Sequence, residues 1–585
     1  MKKIQTKVVI VGSGGAGLMT AIQLFENGFK DVLIVWDRKF NDAHTTQARG
    51  GINAALGTLD PEDSSLIHAV DTYREGGFIA HPDLVETLAY NAPSAIEDLL
   101  RWWADFHKED DGKTITQRFF GAHSYRRTCF SGDQTWKEMI RVMSARAREL
   151  EIPFLEETYV YKLLTDPSHA RGRLGGGQKT TGILAIDKKT NEQVHVEAPI
   201  VVFATGWYPN VYFRSSSRNK ENFGDAINMA YEAGVTIWDI EMVQFHPTGL
   251  LYPEEKFGEL VTEAVRGEGG RLLNADGERF MKKYDPIKQE LSTRDVVARA
   301  NFQEIHEGRG TTKRGVWLDI SHQPRDYILS RLPKMHSMIL EYNGVDIAKY
   351  PVEVAPTTHY TMGWIWFDPE TYETSLENFF VAGECSMGVH GANRLGGNSL
   401  METLVFGKKV ANKILDLTPT LEQPHPNPLL IGEGEEQEVC NGTLDAWDTL
   451  TEIRKQVWEY AGIVRVESEL LWLQKYLADM RAKIESEGLA CHGSLYENTM
   501  MHNRVQAVLN IGELICKWAL ERKESRGAHF RSDYLEISDS YHKNFMHTLV
   551  DGKVESKWKD LPKPSEKLQH GLDSFEETQN YGHSE

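Results

Sequence analysis

Cysteine is scarce in this chain of 585 residues. The five, Cys129, Cys385, Cys440, Cys491 and Cys516, are scattered, and none stands in a Cys-x-x-Cys pair. That pattern argues against a disulfide framework, a structural zinc site or an iron–sulfur cluster within the chain, and it fits a reducing compartment. Long apolar runs are missing too. None reaches the roughly 18 residues that a membrane span needs, so any membrane attachment has to come through a partner. The apolar run near the N-terminus is strand-length, β-branched and followed at once by glycines, which is not the pattern of a signal peptide. Positive charge is also short: 65 Lys and Arg stand against 85 Asp and Glu, a net charge of −20. This argues against nucleic acid as the main partner, since phosphate contacts need a basic surface. A small anion is not excluded, because a few local arginines can dominate a pocket.

The length predicts two or more domains. Lys7 to Val11 reads as a buried parallel strand, Gly12 to Gly17 turns into a helix ending near Asn27, and Val32 to Val35 reads as a second strand. This βαβ opening sets the fold class as α/β. Residues 60 to 110 read as helical, with Trp102, Trp103 and Phe106 on a core face, and Pro199 to Ala204 as another buried strand. From about 250 to 350 glycines, charges and short strands suggest an inserted second domain, after which NFFVAG (378–383) reads as a strand returning to the first. The Pro- and Glu-rich stretch 418–440 reads as a linker, and 445–483 and 498–522 have helical spacing. The tail after 530 is polar and reads as mostly irregular.

Gly12-Ser13-Gly14-Gly15-Ala16-Gly17 matches G-x-G-x-x-G between a strand and a helix. Its glycines allow the tight turn and let backbone N–H groups approach a pyrophosphate at the helix N-terminus. Asp37 ends the second strand 20 residues past Gly17, where a carboxylate can bind a ribose hydroxyl. The signature alone does not separate FAD from NAD. His44 follows in AHTTQARGG (Ala43 to Gly51), 27 residues after Gly17, where the chain would run along a bound dinucleotide toward its reactive ring.

Five later segments carry polar residues, four of them with glycine: QFHPTG (His246), VTEAVRGEGG (Thr262, Glu263, Arg266), STRDVVAR (Arg294), TTHYTMG (His359) and HGANRLGGNSL (Arg394). Singly, each has a structural explanation as a turn residue or a surface pair. Together, two histidines and two or three arginines fit a dicarboxylate, because arginine forks bind carboxylates bidentately.

On these motifs, in this order, the chain resembles the flavoprotein subunits of succinate dehydrogenases and fumarate reductases, with the L-aspartate oxidases as near relatives. The resemblance runs from about residue 5 to 410 and resumes at Glu524-Ser525-Arg526-Gly527-Ala528-His529. It implies a Rossmann-like FAD-binding domain (1–249 and 351–417), an inserted α+β capping domain (250–350), a linker (418–440), a helical domain (441–530) and a C-terminal tail (531–585). It implies that Gly12 to Gly17 cradle the FAD pyrophosphate. His44 would be bonded covalently to the flavin 8α-methyl, with Thr45, Gly50 and Gly51 beside it. Asp37, Thr205, Gly206, Asp225, Glu384, Ser399 and Leu400 would be further FAD contacts. By the same resemblance His246, Thr262, His359 and Arg394 hold the substrate carboxylates. Arg294 exchanges the proton with substrate carbon, and Glu263 and Arg266 feed that arginine. The implied reaction is succinate–fumarate interconversion. Electrons would pass to an iron–sulfur subunit, then through a membrane anchor to quinone, with this chain peripheral on the cytoplasmic face of the inner membrane.

L-Aspartate oxidase is the alternative, and AHSYRRT and VWLDISHQP look like that branch. Three features favour the succinate and fumarate side. Aspartate oxidases have a small or hydroxylated residue where His44 stands. They carry a glutamate where this chain has Phe120 in RFFGAHS, and an apolar ring offers a substrate ammonium no partner. HPTG and NRLGG also fit the succinate branch. The chain departs from the family at Trp364, where HYTMGG becomes HYTMGW with Trp366 near, and this substitution is expected to reshape the capping interface or the active-site entrance. It departs again at Trp36-Asp37 and in a longer segment between His246 and Thr262.

Overall fold

The computed structural model of the chain describes every residue except 48–49, 133–134, 167–177, 219–220, 387, 419–439, 551–552 and 582–585. A five-stranded parallel sheet forms the centre, in the order Phe379–Val381, Ile200–Phe203, Val8–Val11, Val32–Val35, Phe154–Leu155. Val8, Val9, Ile10 and Ile34 have no exposed surface. Strands covered on both faces need apolar residues at every position, which is why they read as unbroken runs. The helix Gly15–Glu26 leaves the Val8–Val11 strand, and Asn398–Leu417 packs along it, where Thr20 Oγ1 donates to Gly407 O at 3.1 Å.

A second hydrophobic core, separate from the first, gathers residues between Leu250 and Val354. It lies on an antiparallel sheet in the order Val243–Leu250, Val352–Thr361, Val316–Asp319, Arg271–Leu273. Its two longest strands run out of this core toward the first, and each carries site residues at that end. The helices Ala446–Tyr460, Glu467–Glu487 and Leu495–Glu521 follow. At the end of the third, Arg522 is buried with Nε 2.6 Å from Glu241 and Nη2 2.9 Å from Asp239. It ties the helical region to the turn after Ile237–Trp238. Removing one partner of a buried pair of this kind costs about 3–5 kcal/mol.

Three expectations change. The tail is not irregular: Lys543–Val550 and Lys553–Asp560 form strands, the first pairing with Ile237–Trp238, and the helix Glu566–Tyr581 seats Leu568 and Leu572 on Ala69, Val70 and Tyr73. The pairing partner lies some three hundred residues away, so the local sequence carries no sign of it. Trp103 is 85% exposed whereas Trp102 and Phe106 are buried. The helix ends at Arg101 and Trp103 takes a positive φ, so the helical face stops before it. Cys440 and Cys491 are joined as a disulfide across 51 residues, against the expectation of no disulfide framework and a reducing compartment. Their spacing follows no motif, and only the fold brings them together. Residues 419–439 of the expected linker lie outside the described residues.

Candidate active site

The cleft begins at the glycine turn. Gly12 has φ +116°, and a Cβ there would meet Ala204 O at 2.2 Å; a Cβ on Gly17 would meet Gly12 O at 2.0 Å. The turn and the helix behind it therefore close only with glycine at both positions. No acidic residue occupies the first helical turn, so the helix N-terminus faces the cleft with its positive end open to an anion. Thr45 Oγ1 accepts from Gly15 N at 3.3 Å. Gly14, Gly15, Ala16, Thr45, Gly50 and Gly51 line one part of the cleft, and Asp37, Arg38, Asp225 and Trp364 line the other. Trp36, Thr205, Gly206 and Trp207 line both, which makes one elongated site.

Asp37 Oδ1, Thr205 Oγ1, Asp225 Oδ1 and Glu384 Oε1, all on the cleft wall, are buried with no hydrogen-bond partner among the described residues. Buried polar atoms are nearly always paired, so this row marks the path of a polar ligand. Burial raises the carboxyl groups of Asp37 and Asp225, the latter to about 6. Burial and neighbouring Glu402 raise Glu384 well above the usual carboxylate range. A dinucleotide with a sugar at Asp37 and a phosphate at the helix N-terminus fits these groups.

At the other end, the strands of the second sheet deliver Gln244 and His246 from one side and His359 and Tyr360 from the other. The pairing of Val243–Leu250 with Val352–Thr361 slips between Gln244 and Phe245 and again between His246 and Gly249. Such irregularities re-aim side chains next to sites. The two imidazoles lie 5.2 Å apart. Thr248 N donates to His246 Nδ1 at 3.3 Å, which leaves the proton on Nε2. Arg294 opens the helix Arg294–His306 and donates from Nε to Glu263 Oε2 at 2.8 Å. Arg266 Nη2 lies 3.9 Å from the same oxygen, so the three form a continuous charged chain. Arg394 precedes the helix Asn398–Leu417, with its guanidinium over the Tyr360 ring at 4.2 Å and its Nε buried without a partner.

The charges are set by these neighbours. Burial, together with arginines nearby, holds His246 and His359 well below the ordinary histidine value. Burial lowers Arg394 to about 10, which still leaves it cationic at neutral pH. Glu263 is pulled down by Arg294 and Arg266 despite its burial, so it stays ionised. The pocket thus offers fixed positive charge and two neutral imidazole donors to an anion. A base whose value lies well below 6.5 takes up no proton between pH 6 and 8. The KM for the dicarboxylate is therefore expected to be flat over that range. An inflection near pH 6.5 that vanishes in His246→Asn, measured by initial rates, would contradict this assignment.

The structure brings Gly14, Gly15, Ala16, His44, Thr45, Gly50, Gly51, Phe120, Thr205, Gly206, His246, Thr262, Glu263, Arg294, His359, Glu384, Arg394, Ser399 and Leu400 to one cavity. Arg266 stands behind Glu263, and Ser13, Gly12 and Gly17 shape the turn. Ser399 Oγ accepts from Arg394 Nη1 at 3.2 Å. Trp364 is buried at the nucleotide end, against Tyr208 at 4.7 Å between ring centres, and is not among the residues lining the substrate end. The expected effect on the active-site entrance is therefore replaced by a role in the wall of the nucleotide cleft. Sequence reading missed Gln244, whose Oε1 accepts from Arg294 Nη1 at 3.2 Å and Arg394 Nη2 at 3.0 Å. Its place two residues before His246 on one strand was the available sign, since i and i+2 share a face. It also missed Trp207, whose ring lies 5.2 Å from His44 and 6.0 Å from His359, and Glu221, 2.8 Å from His44 Nδ1.

Residues 7–400 match the family model of the FAD binding domain. With that match, the cleft and its charged end define an FAD-dependent oxidoreductase. Residues 450–569 match the model of the fumarate reductase flavoprotein C-terminus. The chain is 38% identical to a subunit of the fumarate reductase (CoM/CoB) of Methanothermobacter marburgensis, over 94% of this chain and 97% of that one. It is 32% identical to the succinate dehydrogenase flavoprotein subunit of Coxiella burnetii over 92% and 93%. Among solved structures, an Escherichia coli quinol fumarate reductase FrdA with a point mutation superposes with a TM-score of 0.85 at 29% identity, covering 97% of this chain and 99% of that one. The Mycobacterium smegmatis Sdh1 complex with UQ1 does so with 0.85 at 32% identity, over 99% and 98%. The chain belongs to the succinate dehydrogenase and fumarate reductase flavoprotein family.

Proposed function

We propose that this protein interconverts succinate and fumarate as the flavoprotein subunit of a larger complex, with Arg294 as its proton-exchanging residue. The Arg294–Glu263–Arg266 chain beside two neutral histidines and Arg394 carries this reading. In it, Arg394 and His359 hold one carboxylate, and His246 and Thr262 hold the other. FAD, when bound, would supply the hydride acceptor or donor. Arg294 exchanges the proton at the neighbouring carbon, and Glu263 and Arg266 replace that proton from behind. A free arginine is too weak an acid for this task, with an ordinary value above about 12. Its fixed place in the cavity, held by Glu263 and Gln244, would supply what its acidity does not, because fixing the reacting groups lowers the barrier on its own.

Asp37, Asp225, Thr205, Glu384 and the glycine turn are the proposed FAD ligands, and His44 the proposed covalent tether. Phe120 at the substrate end disfavours an amino-acid substrate. An iron–sulfur subunit is the proposed electron partner, with a membrane anchor and quinone beyond it and this chain on the cytoplasmic face. Among the described residues no helix is long and apolar enough to cross a membrane. CoM and CoB in place of quinol are a second reading of the electron source. It is favoured by the 38% identity to the CoM/CoB enzyme, higher than the 32% to the Coxiella protein.

Anaerobic assays of the FAD-loaded protein with a viologen or phenazine dye test the substrate. Fumarate is expected to oxidise the reduced dye and succinate to reduce the oxidised one. L-Aspartate-dependent peroxide with no succinate–dye activity would reverse the reading.

A further inference from the structure

Glu221 is 4% exposed and stands just before the helix Asp225–Glu232. Its Oε1 lies 2.8 Å from His44 Nδ1 and accepts from Arg218 N at 3.2 Å. Its Oε2 pairs with Arg38 and, at 3.0 Å, with Arg218 Nη2. Arg218 is itself held by Asp42 at 2.6 Å. Burial pushes the Glu221 carboxyl up, but His44, Arg38 and Arg218 outweigh it and hold the group well below the usual range. A carboxylate in that state only accepts hydrogen bonds, so the proton in the short contact belongs to His44 Nδ1. In the neutral imidazole the lone pair then sits on Nε2. Nε2 makes no hydrogen bond among the described residues, and His44 lines the cleft with the Trp207 ring 5.2 Å away. A solvated surface pair would not account for a nearly buried carboxylate fastened by two arginines and turned to one imidazole nitrogen.

We infer that Glu221 is the positioning residue for flavin attachment: it fixes the tautomer and the rotation of His44 so that Nε2 faces the cofactor's 8α-methyl. The inference rests on the His44 tether proposed above. Bond formation removes one proton from the flavin methyl and one from the imidazole, and leaves two electrons with the flavin. Fumarate takes up those two electrons and two protons to become succinate, so the reaction proposed above supplies the oxidant. As the Nε2–carbon bond forms, positive charge builds on the imidazole and the Nδ1 proton must leave. A fixed carboxylate at Nδ1 favours both changes, as the aspartate does for the histidine in a serine hydrolase triad.

The test compares wild type, Glu221→Gln and Glu221→Asp, each purified with FAD. Flavin bound to the native protein is read by its visible absorbance. Flavin that stays with the polypeptide after acid precipitation is read by gel fluorescence and mapped to its peptide. Glu221→Gln is expected to bind FAD as wild type does but to retain about tenfold less after acid, a loss typical of removing a histidine's orienting partner at metal sites. Glu221→Asp is expected to recover part of it. A wild-type covalent fraction in Glu221→Gln would overturn the role of Glu221 alone. Failure of Glu221→Gln to bind FAD at all would also overturn it, by making the carboxylate a general binding group. Wild-type protein that releases all its flavin in acid would overturn the tether, and the role of Glu221 with it.

Discussion

Arg294→Ala is expected to lower kcat by roughly a thousandfold in both directions while FAD stays bound, within the range that removing a positioned acid or base produces. Arg294 is held by Glu263 at 2.8 Å and by Gln244 at 3.2 Å, so its guanidinium has one orientation. The other charged groups at this end have different work: Arg394 lies over Tyr360, and the two imidazoles are neutral. Arg294→Lys keeps the charge but gives up the fork that meets Glu263 and Gln244 together, so it is expected to fall nearly as far. Visible absorbance establishes flavin content, and steady-state rates with dye give kcat. Near-normal turnover in Arg294→Lys with flavin retained would remove Arg294 from the proton step.

Arg394→Met is expected to act on binding as well as on turnover. A buried arginine facing a carboxylate contributes two charged hydrogen bonds, each of about 1.5–3 kcal/mol. Losing both lowers kcat/KM by roughly a hundredfold to ten-thousandfold, with KM rising. The residue is 3% exposed, so no water-filled route compensates. The measurement is kcat/KM for fumarate together with the inhibition constant of a non-reacting dicarboxylate. Unchanged inhibition by that dicarboxylate would show that Arg394 does not hold the substrate.

Much of this was legible because the informative residues come in local runs. The Val8–Val11 strand, the glycine turn and the Gly15–Glu26 helix each announce themselves within a few residues. Glu263 and Arg394 each sit in a glycine-rich segment, and His246 and His359 each stand a few residues before a glycine, whereas Arg294 has no glycine near it. What stayed hidden depends on distant pairing. Glu221 gains meaning only when the fold sets it against His44, 177 residues earlier. Gln244 looks like one more polar strand residue until two arginines converge on its oxygen. The Lys543–Val550 strand has no nearby partner to suggest it, and Cys440 meets Cys491 only across 51 residues. Trp364 was read as a neighbour of His359 because five residues separate them. Gly363 parts the strand that carries His359 from the short strand Trp364–Ile365, and the indole lies at the nucleotide end instead.

The central claim is that this site couples the flavin to a succinate–fumarate pair. The most direct test is a single turnover: dithionite-reduced, FAD-loaded protein, freed of excess reductant, mixed anaerobically with fumarate. The account predicts rapid return of the oxidised flavin absorbance and succinate formed in equimolar amount to flavin, with both processes lost together in Arg294→Ala. Flavin that stays reduced in the presence of fumarate, or is reoxidised without succinate appearing, would contradict it.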